Sequence, residues 1–185
     1  MAIITVGGNP GSGKTTLAAK LAAELGYEEL YVGGIFREIA AERSITVERL
    51  SADIKNDPML ELSIDARQEK LMREKDNVVI QGRVAWYFSR KSPFKIINLF
   101  LATNPAVGAE RVAKRKEDHT KSVEEIAQAT KERVQHDRER YQKLYKIEDY
   151  LDPSHYDIIL DTSDLTEEEV LQKTLERLEI YGIKK

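Results

Sequence analysis

Short apolar runs alternate with longer stretches of helical spacing along most of the chain. The run AIITV at 2–6 is continuously apolar and β-branched, which is typical of a strand covered on both faces. From Lys14 onward, leucines recur at every fourth residue until Gly26, and this spacing predicts a helix. Similar apolar runs predict further strands at 29–32, 77–82, 96–102 and 156–161.

The segments between these strands carry helical patterns. Residues 46–74 indicate polar helices interrupted near Pro58, and residues 105–145 are heavily charged and helical. A last helix is predicted after Thr166, because Thr166 and Glu169 occupy capping-box positions. Strands separated by helices indicate βαβ units, so we expect a single α/β domain with a central parallel sheet flanked by helices.

The turn after the first strand, GNPGSGKT at 8–15, fits the phosphate-loop pattern G-x-x-x-x-G-K-[ST]. Glycines let backbone amides approach a polyphosphate, and the following helix points its positive end at the anion. Lys14 supplies a point charge to the β- and γ-phosphates, and the Thr15 hydroxyl is the expected Mg²⁺ ligand. The residues predicted to bind ATP here are Gly8, Asn9, Pro10, Gly11, Ser12, Gly13, Lys14, Thr15 and Thr16.

A bound triphosphate leaves the phosphoryl acceptor undecided. Water as acceptor would make the protein an NTPase or a switch, whereas a second small molecule would make it a kinase. A guanine-reading Asn-Lys-x-Asp motif is absent, since ATNP at 102–105 lacks both the lysine and the aspartate. The apolar run ending in paired acids that is usual in ATPase motors is absent as well.

Arginines follow the predicted strands, where an α/β sheet opens its binding crevice. Arg37 follows the second strand, Arg83 the third, and Arg111 and Arg115 the fourth. Guanidinium groups bind phosphate in a bidentate manner and stay charged, which suits phosphoryl transfer. The alternative is that these arginines only solvate the surface of a chain in which 33% of residues are charged.

The predicted helix at 123–144 carries Arg133, Asp137 and Arg140 at positions i, i+4 and i+7. Two arginines flanking an aspartate could hold a phosphate while the carboxylate accepts a ribose hydroxyl. The competing interpretation is a salt-bridge ladder on an exposed face.

The net charge of −3 and the pI of about 5.8 give no general basic field for nucleic acid or a membrane, so neither partner is expected. RNA binding through the basic residues of 111–140 is disfavoured by the interleaved acids. The chain has no cysteine, which suits a reducing compartment, and we expect a cytoplasmic protein.

These motifs together resemble the nucleoside monophosphate kinases of the P-loop class, most closely the short cytidylate kinases of archaeal type. The similar stretches are GGNPGSGKTT, GGIFREIAAER, VVIQGRVAW, AERVAKR, the arginine–aspartate–arginine helix and YDIILDTSDLTEEEV. The first is common to all P-loop proteins, whereas the Gly-Arg stretch and the helix are more specific. The resemblance implies a three-layer P-loop NTPase fold, an acceptor-binding helical region at about 34–75 and a lid at about 112–122.

The resemblance also implies an activity, the transfer of the ATP γ-phosphate to CMP or dCMP with Mg²⁺, and roles for single residues. Acceptor phosphate or base contacts would come from Arg37, Arg83, Arg133 and Arg140, and Asp137 would contact the sugar. Arg111 and Arg115 would close over the transferring phosphoryl group. Asp161, Thr162 and Ser163 would lie beside the adenine. The predicted catalytic residues are therefore Lys14, Arg83, Arg111, Arg115 and Arg133.

Two positions depart from the family pattern. Gly34, in the acceptor region, stands where the family often has aspartate, and Gln81 stands where related kinases carry an acid beside Mg²⁺. An amide adds no negative charge, so Mg²⁺ binding would depend more on Thr15 and the phosphates. Asp65 and Gln68 match polar positions of the acceptor region and are candidates for base reading, although a solvated helix face explains them too.

Two other functions remain open from the sequence. One is a kinase for another small acceptor, such as AMP, UMP or a metabolite. The other is a regulatory module that binds ATP without useful transfer, although the arginine-rich acceptor side argues against it. We expect a monomer.

Overall fold

The computed structural model describes residues 2–46, 49–50, 53, 58–115 and 122–184. Five parallel strands form one sheet in the order β2-β3-β1-β4-β5, so the first strand is central. All five strands predicted from apolar runs are confirmed, with ends within two residues of the expected ones. Their bounds are β1 Ala2–Gly8, β2 Glu28–Tyr31, β3 Val78–Gln81, β4 Lys95–Ala102 and β5 Ile158–Asp161.

Seven α-helices of three residues or more are defined in the described part of the chain. The five-residue helix after β3 was not predicted, because so short a segment cannot display a helical period. The final helix has the predicted capping box between Thr166 and Glu169. The helix bounds are α1 Lys14–Leu25, α2 Val32–Glu42, α3 Pro58–Glu74, α4 Ala85–Ser89, α5 Pro105–Arg115, α6 Val123–Tyr145 and α7 Glu167–Ile180.

The two faces of the sheet are covered by different helices, which gives three layers. Ile4 and Val6 of β1 pack on one face with apolar residues of α1 and α7. Ile3, which points the other way because strand side chains alternate, packs with residues of α4 and α6. The α/β class and the three-layer arrangement expected from the sequence are therefore confirmed.

A separate apolar cluster joins α2 and α3 outside the sheet. It contains Ile35 and Ile39 of α2, Leu60 and Ile64 of α3, and Leu50. The predicted acceptor region at 34–75 is largely helical where it is described, through α2 and α3, and its role stays a prediction. Most of the predicted lid at 112–122 lies outside the described residues.

Because all strands are parallel, their carboxyl ends meet at one edge of the sheet. The loop after β1, Arg83 after β3, Thr103 after β4 and Thr162 after β5 are brought to this edge by the strand order. Ligands of open α/β sheets bind outside this edge. The fold therefore gathers residues of four separate segments, and those from the loop after β1, from the segment after β3 and from the segment after β5 were predicted from the sequence.

Candidate functional site

The loop between β1 and α1 is held against the start of α5 by a glycine-to-glycine contact. Gly11 has φ +77°, and a Cβ there would lie 2.2 Å from the carbonyl oxygen of Gly108. A Cβ on Gly108 would in turn lie 2.6 Å from the Pro10 carbonyl oxygen. Asn9 makes two hydrogen bonds to the carboxyl end of β4 and the residue that follows it. The Asn9 N–H donates to Leu101 O at 3.0 Å, and Asn9 Oδ1 accepts from Thr103 N at 3.2 Å. The loop is therefore fixed from several sides.

The Lys14 ammonium lies across the loop it follows. Its Nζ donates to the carbonyl oxygens of Gly8 at 3.0 Å and Asn9 at 2.6 Å. These bonds place a positive charge over the turn where the phosphate-loop motif predicts β- and γ-phosphates. The helix α1 begins at the same residue, so its positive end faces the same space.

Thr15 and Gln81 place two neutral oxygens side by side next to this loop. The Thr15 hydroxyl donates to Gln81 Oε1 at 3.4 Å, a long and therefore weak hydrogen bond. Hydroxyl and amide oxygens are ligands that Mg²⁺ accepts, but neither adds negative charge. The residues present fit a Mg²⁺ ion held mainly by phosphate oxygens.

A cavity of about 310 Å³ opens between the loop, α5 and the start of α7. Its apolar walls are Leu17, Leu165 and Val170, and Ser12, Gly13 and Thr16 connect it with the phosphate loop. This combination suits a flat nucleobase attached to phosphates in the loop. Its other lining residues are Arg111, Lys114, Thr162, Thr166 and Glu167.

Arg111 fixes the segment after β5 that forms one wall of this cavity. Its Nη2 donates to the carbonyl oxygens of Thr162, Ser163 and Leu165 at 2.7, 3.2 and 3.3 Å, and its Nη1 to Thr162 Oγ1 at 3.3 Å. The Thr162 hydroxyl also donates a buried hydrogen bond to Ser12 O at 3.1 Å. The structure thus brings Arg111 to the predicted adenine side, and its closing over the phosphoryl group stays a prediction.

Asp161 shapes the same segment through a local turn. Its Oδ1 accepts from the Ser163 N–H at 2.9 Å and from the Ser163 hydroxyl at 2.6 Å. The hydrogen bonds from Ser163 lower the pKa of the Asp161 carboxyl. The predicted trio of Asp161, Thr162 and Ser163 is therefore brought together beside the cavity.

Arg83 and Arg140 converge on the buried carboxylate of Asp137. Arg83 Nη1 lies 3.1 Å from both Asp137 oxygens, and Arg140 Nη2 lies 3.8 Å from Oδ1. Arg140 Nη2 also donates to the Tyr141 hydroxyl at 2.8 Å. Burial raises the pKa of Tyr141, while the nearby Arg140 and Arg83 act in the opposite direction. The two guanidinium groups supply the kind of donors that a phosphate site requires.

The other predicted arginines are placed differently. Arg133 is exposed on α6, one turn before Asp137. Arg37 is exposed on α2, and its guanidinium carbon lies 5.6 Å from the centre of the ring of Tyr31, which belongs to the edge strand β2. Arg115 is the last residue of α5. Gly34 lies on α2, where a Cβ would meet no heavy atom within 4 Å.

The two candidates for base reading lie on α3 and face different surroundings. Asp65 is half-buried and accepts a hydrogen bond from the Tyr145 hydroxyl of α6. Gln68 is 2% exposed, and its Nε2 has no hydrogen-bond partner among the described residues. A solvated helix face is therefore wrong for Gln68, whereas base reading stays a prediction for both.

Several residues of the site were not predicted from the sequence. Leu165 and Val170 resemble ordinary core positions, and only their place next to the capped start of α7 could have indicated the cavity. Tyr141 follows Asp137 by four residues on α6, and this helical spacing was the available signal.

Among residues 2–46, 58–115 and 122–184, none of the helices is both long and apolar enough to cross a membrane. Histidine, aspartate and glutamate side chains in the same ranges form no group of three that could hold a metal ion.

Known proteins are similar to this chain in sequence and in fold. The model of the cytidylate kinase-like family matches residues 3–164. A cytidylate kinase of Methanopyrus kandleri is 38% identical over 174 residues, covering 90% of this chain and 88% of that protein. A cytidylate kinase of Pyrococcus furiosus is 41% identical over 161 residues, covering 87% of this chain and 80% of that protein.

A solved structure shares the architecture at low sequence identity. Shikimate kinase from Bacteroides thetaiotaomicron superposes with a TM-score of 0.66 at 20% identity, covering 96% of this chain and 98% of that one. This likeness shows the fold of the P-loop kinases. The match of the family model and the identity to the two archaeal proteins go further: the chain belongs to the cytidylate kinase-like family.

Proposed function

We propose that this protein is a phosphotransferase that moves the γ-phosphoryl group of ATP to CMP and dCMP. The observation that carries the proposal is a second anion site beside the phosphate loop. Gln81, whose Oε1 accepts from Thr15, is only two residues before Arg83 in the arginine cluster. An ATP-binding module has no use for this second site, whereas a nucleotide kinase needs it for the acceptor phosphate. The names of the archaeal relatives support cytidylate as the acceptor.

The reaction is a direct transfer between two phosphates. An acceptor phosphate oxygen attacks the γ-phosphorus in line, the bond to the β,γ-bridging oxygen breaks, and ADP leaves with that oxygen. Lys14 neutralises charge on the donor phosphates, and Arg83 and Arg140 hold the acceptor phosphate. Arg133, Arg111 and Arg115 stay proposals for groups that approach when both substrates are bound.

A Mg²⁺ ion fits beside Thr15 and Gln81, where the hydroxyl and amide oxygens adjoin the loop. When bound with ATP, it would neutralise charge on the phosphate oxygens. The base of ATP would occupy the cavity lined by Leu17, Leu165 and Val170. A monomeric state and a cytoplasmic location stay predictions.

The test is ADP formation from Mg·ATP with CMP, dCMP, UMP, AMP and GMP added separately. Shikimate, which gives the structural relative its name, is tested as a further acceptor. We expect CMP and dCMP to give the largest stimulation. A larger rate with another acceptor would contradict cytidylate specificity, and no stimulation by any acceptor would contradict the kinase function.

Lys14→Ala tests whether the loop carries the activity. We expect kcat to fall by about 100-fold or more, as when a preorganised electrostatic contact is removed from a transition state. Lys20→Ala is the matched control, because Lys20 lies on the same helix and pairs with Glu167 and Glu168 at the surface. Equal rates for the two variants would contradict the role of Lys14.

A further inference from the structure

We propose that this site takes GTP as well as ATP as its phosphoryl donor, because the cavity beside the phosphate loop holds the faces of a purine and does not read its edge. This activity rests on the proposed function, since it concerns the donor of the same reaction. With GTP, an oxygen of the CMP phosphate attacks the γ-phosphorus, the bond to the β,γ-bridging oxygen breaks, and GDP leaves with that oxygen. The products are GDP and CDP.

The walls that would touch the faces of the base are aliphatic. Leu17, Leu165 and Val170 line the cavity of about 310 Å³. Leu17 and Val170 are 2% and 6% exposed and belong to the core cluster on this face of the sheet, so the wall is anchored. Adenine and guanine have the same fused rings and differ only at their edges. An aliphatic wall therefore makes the same contacts with both bases.

The backbone acceptors of the segment after β5 are already bound to a cation. Arg111 Nη2 donates to three carbonyl oxygens, those of Thr162, Ser163 and Leu165, at 2.7, 3.2 and 3.3 Å. An adenine amino group would have to approach these oxygens beside a guanidinium, which is positive and is itself a donor. Lys114, an exposed residue that also lines the cavity, is a donor as well. Such donors suit the O6 and N7 acceptors of guanine at least as well as the edge of adenine.

The polar side chains at the start of α7 have partners of their own. The Thr166 hydroxyl donates to Glu169 Oε2 at 2.8 Å and accepts from the Glu169 N–H at 3.3 Å within the capping box. Glu167, the acid among the described lining residues, lies 3.4 Å from Lys20 Nζ. To read the edge of a base, either side chain would have to give up an existing hydrogen bond or ion pair.

The expected discrimination between the two donors is therefore small. A site built to bind a substrate edge by hydrogen bonds rejects the wrong edge by about 10⁴-fold or more, whereas an apolar pocket rejects a near-isostere by about 100-fold at most. Guanine keeps every apolar contact of adenine, so we expect kcat/KM for Mg·GTP within about 10-fold of that for Mg·ATP. The chain lacks the guanine-reading Asn-Lys-x-Asp motif, which is why GTP is accepted but not required.

The experiment measures CDP formation from saturating CMP with Mg·ATP and with Mg·GTP, and calorimetry gives the Kd of each donor. A preference for ATP above about 10-fold in kcat/KM overturns the inference. If CMP is phosphorylated with neither donor, the proposed function has failed. The ratio of the two Kd values then tests the cavity separately, and a ratio above about 10-fold in favour of ATP overturns the shared base site as well.

Two neighbouring acids give a matched pair of variants. Glu167 lines the cavity and Glu168 does not, although Lys20 Nζ lies 3.4 Å from the first carboxylate and 3.3 Å from the second. We expect Glu167→Gln and Glu168→Gln to keep the wild-type ratio of kcat/KM for ATP and GTP. If Glu167→Gln alone lowers the preference for ATP by about 3-fold or more, as the loss of a hydrogen bond would, this carboxylate reads adenine and the inference is wrong.

Val170→Ala tests the aliphatic wall. Removing part of a contact with the face of the base should raise KM for both donors by the same factor, about 3- to 10-fold, because the ring face is common to them. A rise in KM for ATP alone would contradict the shared wall. If Val170→Ala does not fold, Leu165→Ala replaces it with the same expected pattern, since Leu165 is only partly buried.

Discussion

At the scale of single residues, Thr15 and Gln81 would decide how much negative charge the protein offers to a Mg²⁺ ion in the site proposed beside the loop. Both side chains contribute neutral oxygens, and their mutual hydrogen bond is long at 3.4 Å. In the proposed site, the phosphates of the nucleotide would therefore supply nearly all the charge that attracts the ion. A carboxylate at position 81 would share that task.

Gln81→Glu should lower the Mg²⁺ concentration that gives half-maximal activity. We expect a shift of about 3- to 10-fold, because one added charge in a partly exposed site contributes about 1 kcal/mol. The measurement is a Mg²⁺ titration of ADP formation at fixed ATP and CMP. Gln142→Glu, on the exposed side of α6, adds the same charge away from the loop and should leave the titration unchanged. An unshifted midpoint for Gln81→Glu would contradict the assignment of this position to the Mg²⁺ site.

The sequence indicated most residues of the candidate site but not the residues that they contact. Lys14 and Thr15 were predictable because the motif fixes their local spacing. The contacts of Arg111 with residues 162–165 join positions about fifty residues apart, which no local pattern contains. The burial of Gln68 was missed for a related reason, since it depends on elements that pack around α3.

At the scale of elements, a glycine in the phosphate loop and a glycine in α2 have opposite effects on the stability of the fold. Gly11 has a left-handed φ and no room for a Cβ, so it is required by the contact with Gly108. Gly34 lies in helix α2 with open space around a Cβ, so it only adds conformational entropy to the unfolded chain.

Gly11→Ala should lower the free energy of unfolding by about 1–3 kcal/mol, because backbone strain and steric overlap act together. It should also abolish ATP binding, since the loop cannot keep its shape. Gly34→Ala should instead raise the free energy of unfolding by about 0.5–1 kcal/mol. Urea unfolding and an ATP titration measure both effects. Normal ATP affinity in Gly11→Ala would show that the contact with Gly108 is dispensable.

The strands were the most predictable elements, because each is a short apolar run bounded by turn residues. Their observed ends differ from the predicted ones by at most two residues; for example, β5 was predicted to begin at residue 156 and begins at Ile158. Helix α4 was missed because five residues span little more than one turn.

At the scale of the whole molecule, carboxylates with lowered pKa values make stability depend on pH. Although partial burial acts in the opposite direction, the hydrogen bond from Arg138 keeps the pKa of Asp149 below its usual value. A lowered folded-state pKa means that the stabilisation is present above the unfolded-state value of about 4. It is lost as the pH falls through the folded-state pKa.

Asp149→Asn should therefore destabilise the protein at pH 7 and have less effect in acid. We expect a loss of about 0.5–1 kcal/mol at pH 7, since both partners of the pair are partly exposed. The difference from the wild type should shrink towards zero below about pH 3. Urea unfolding across this pH range measures it, and a difference that stays constant with pH would rule out the charge as its origin.

The central position of β1 also determines when the sheet can form during synthesis. Ile3 pairs with Val78 on one side and with Ile96 on the other, so both neighbours of the first strand are far away along the chain. At a synthesis rate of about 5–20 residues per second, the first strand waits several seconds for its first neighbour and longer for its second. During that interval its apolar side chains have no sheet to enter. The nascent chain therefore exposes the apolar side chains of β1 until both neighbouring strands have been synthesised, and this interval is when aggregation through β1 competes with folding.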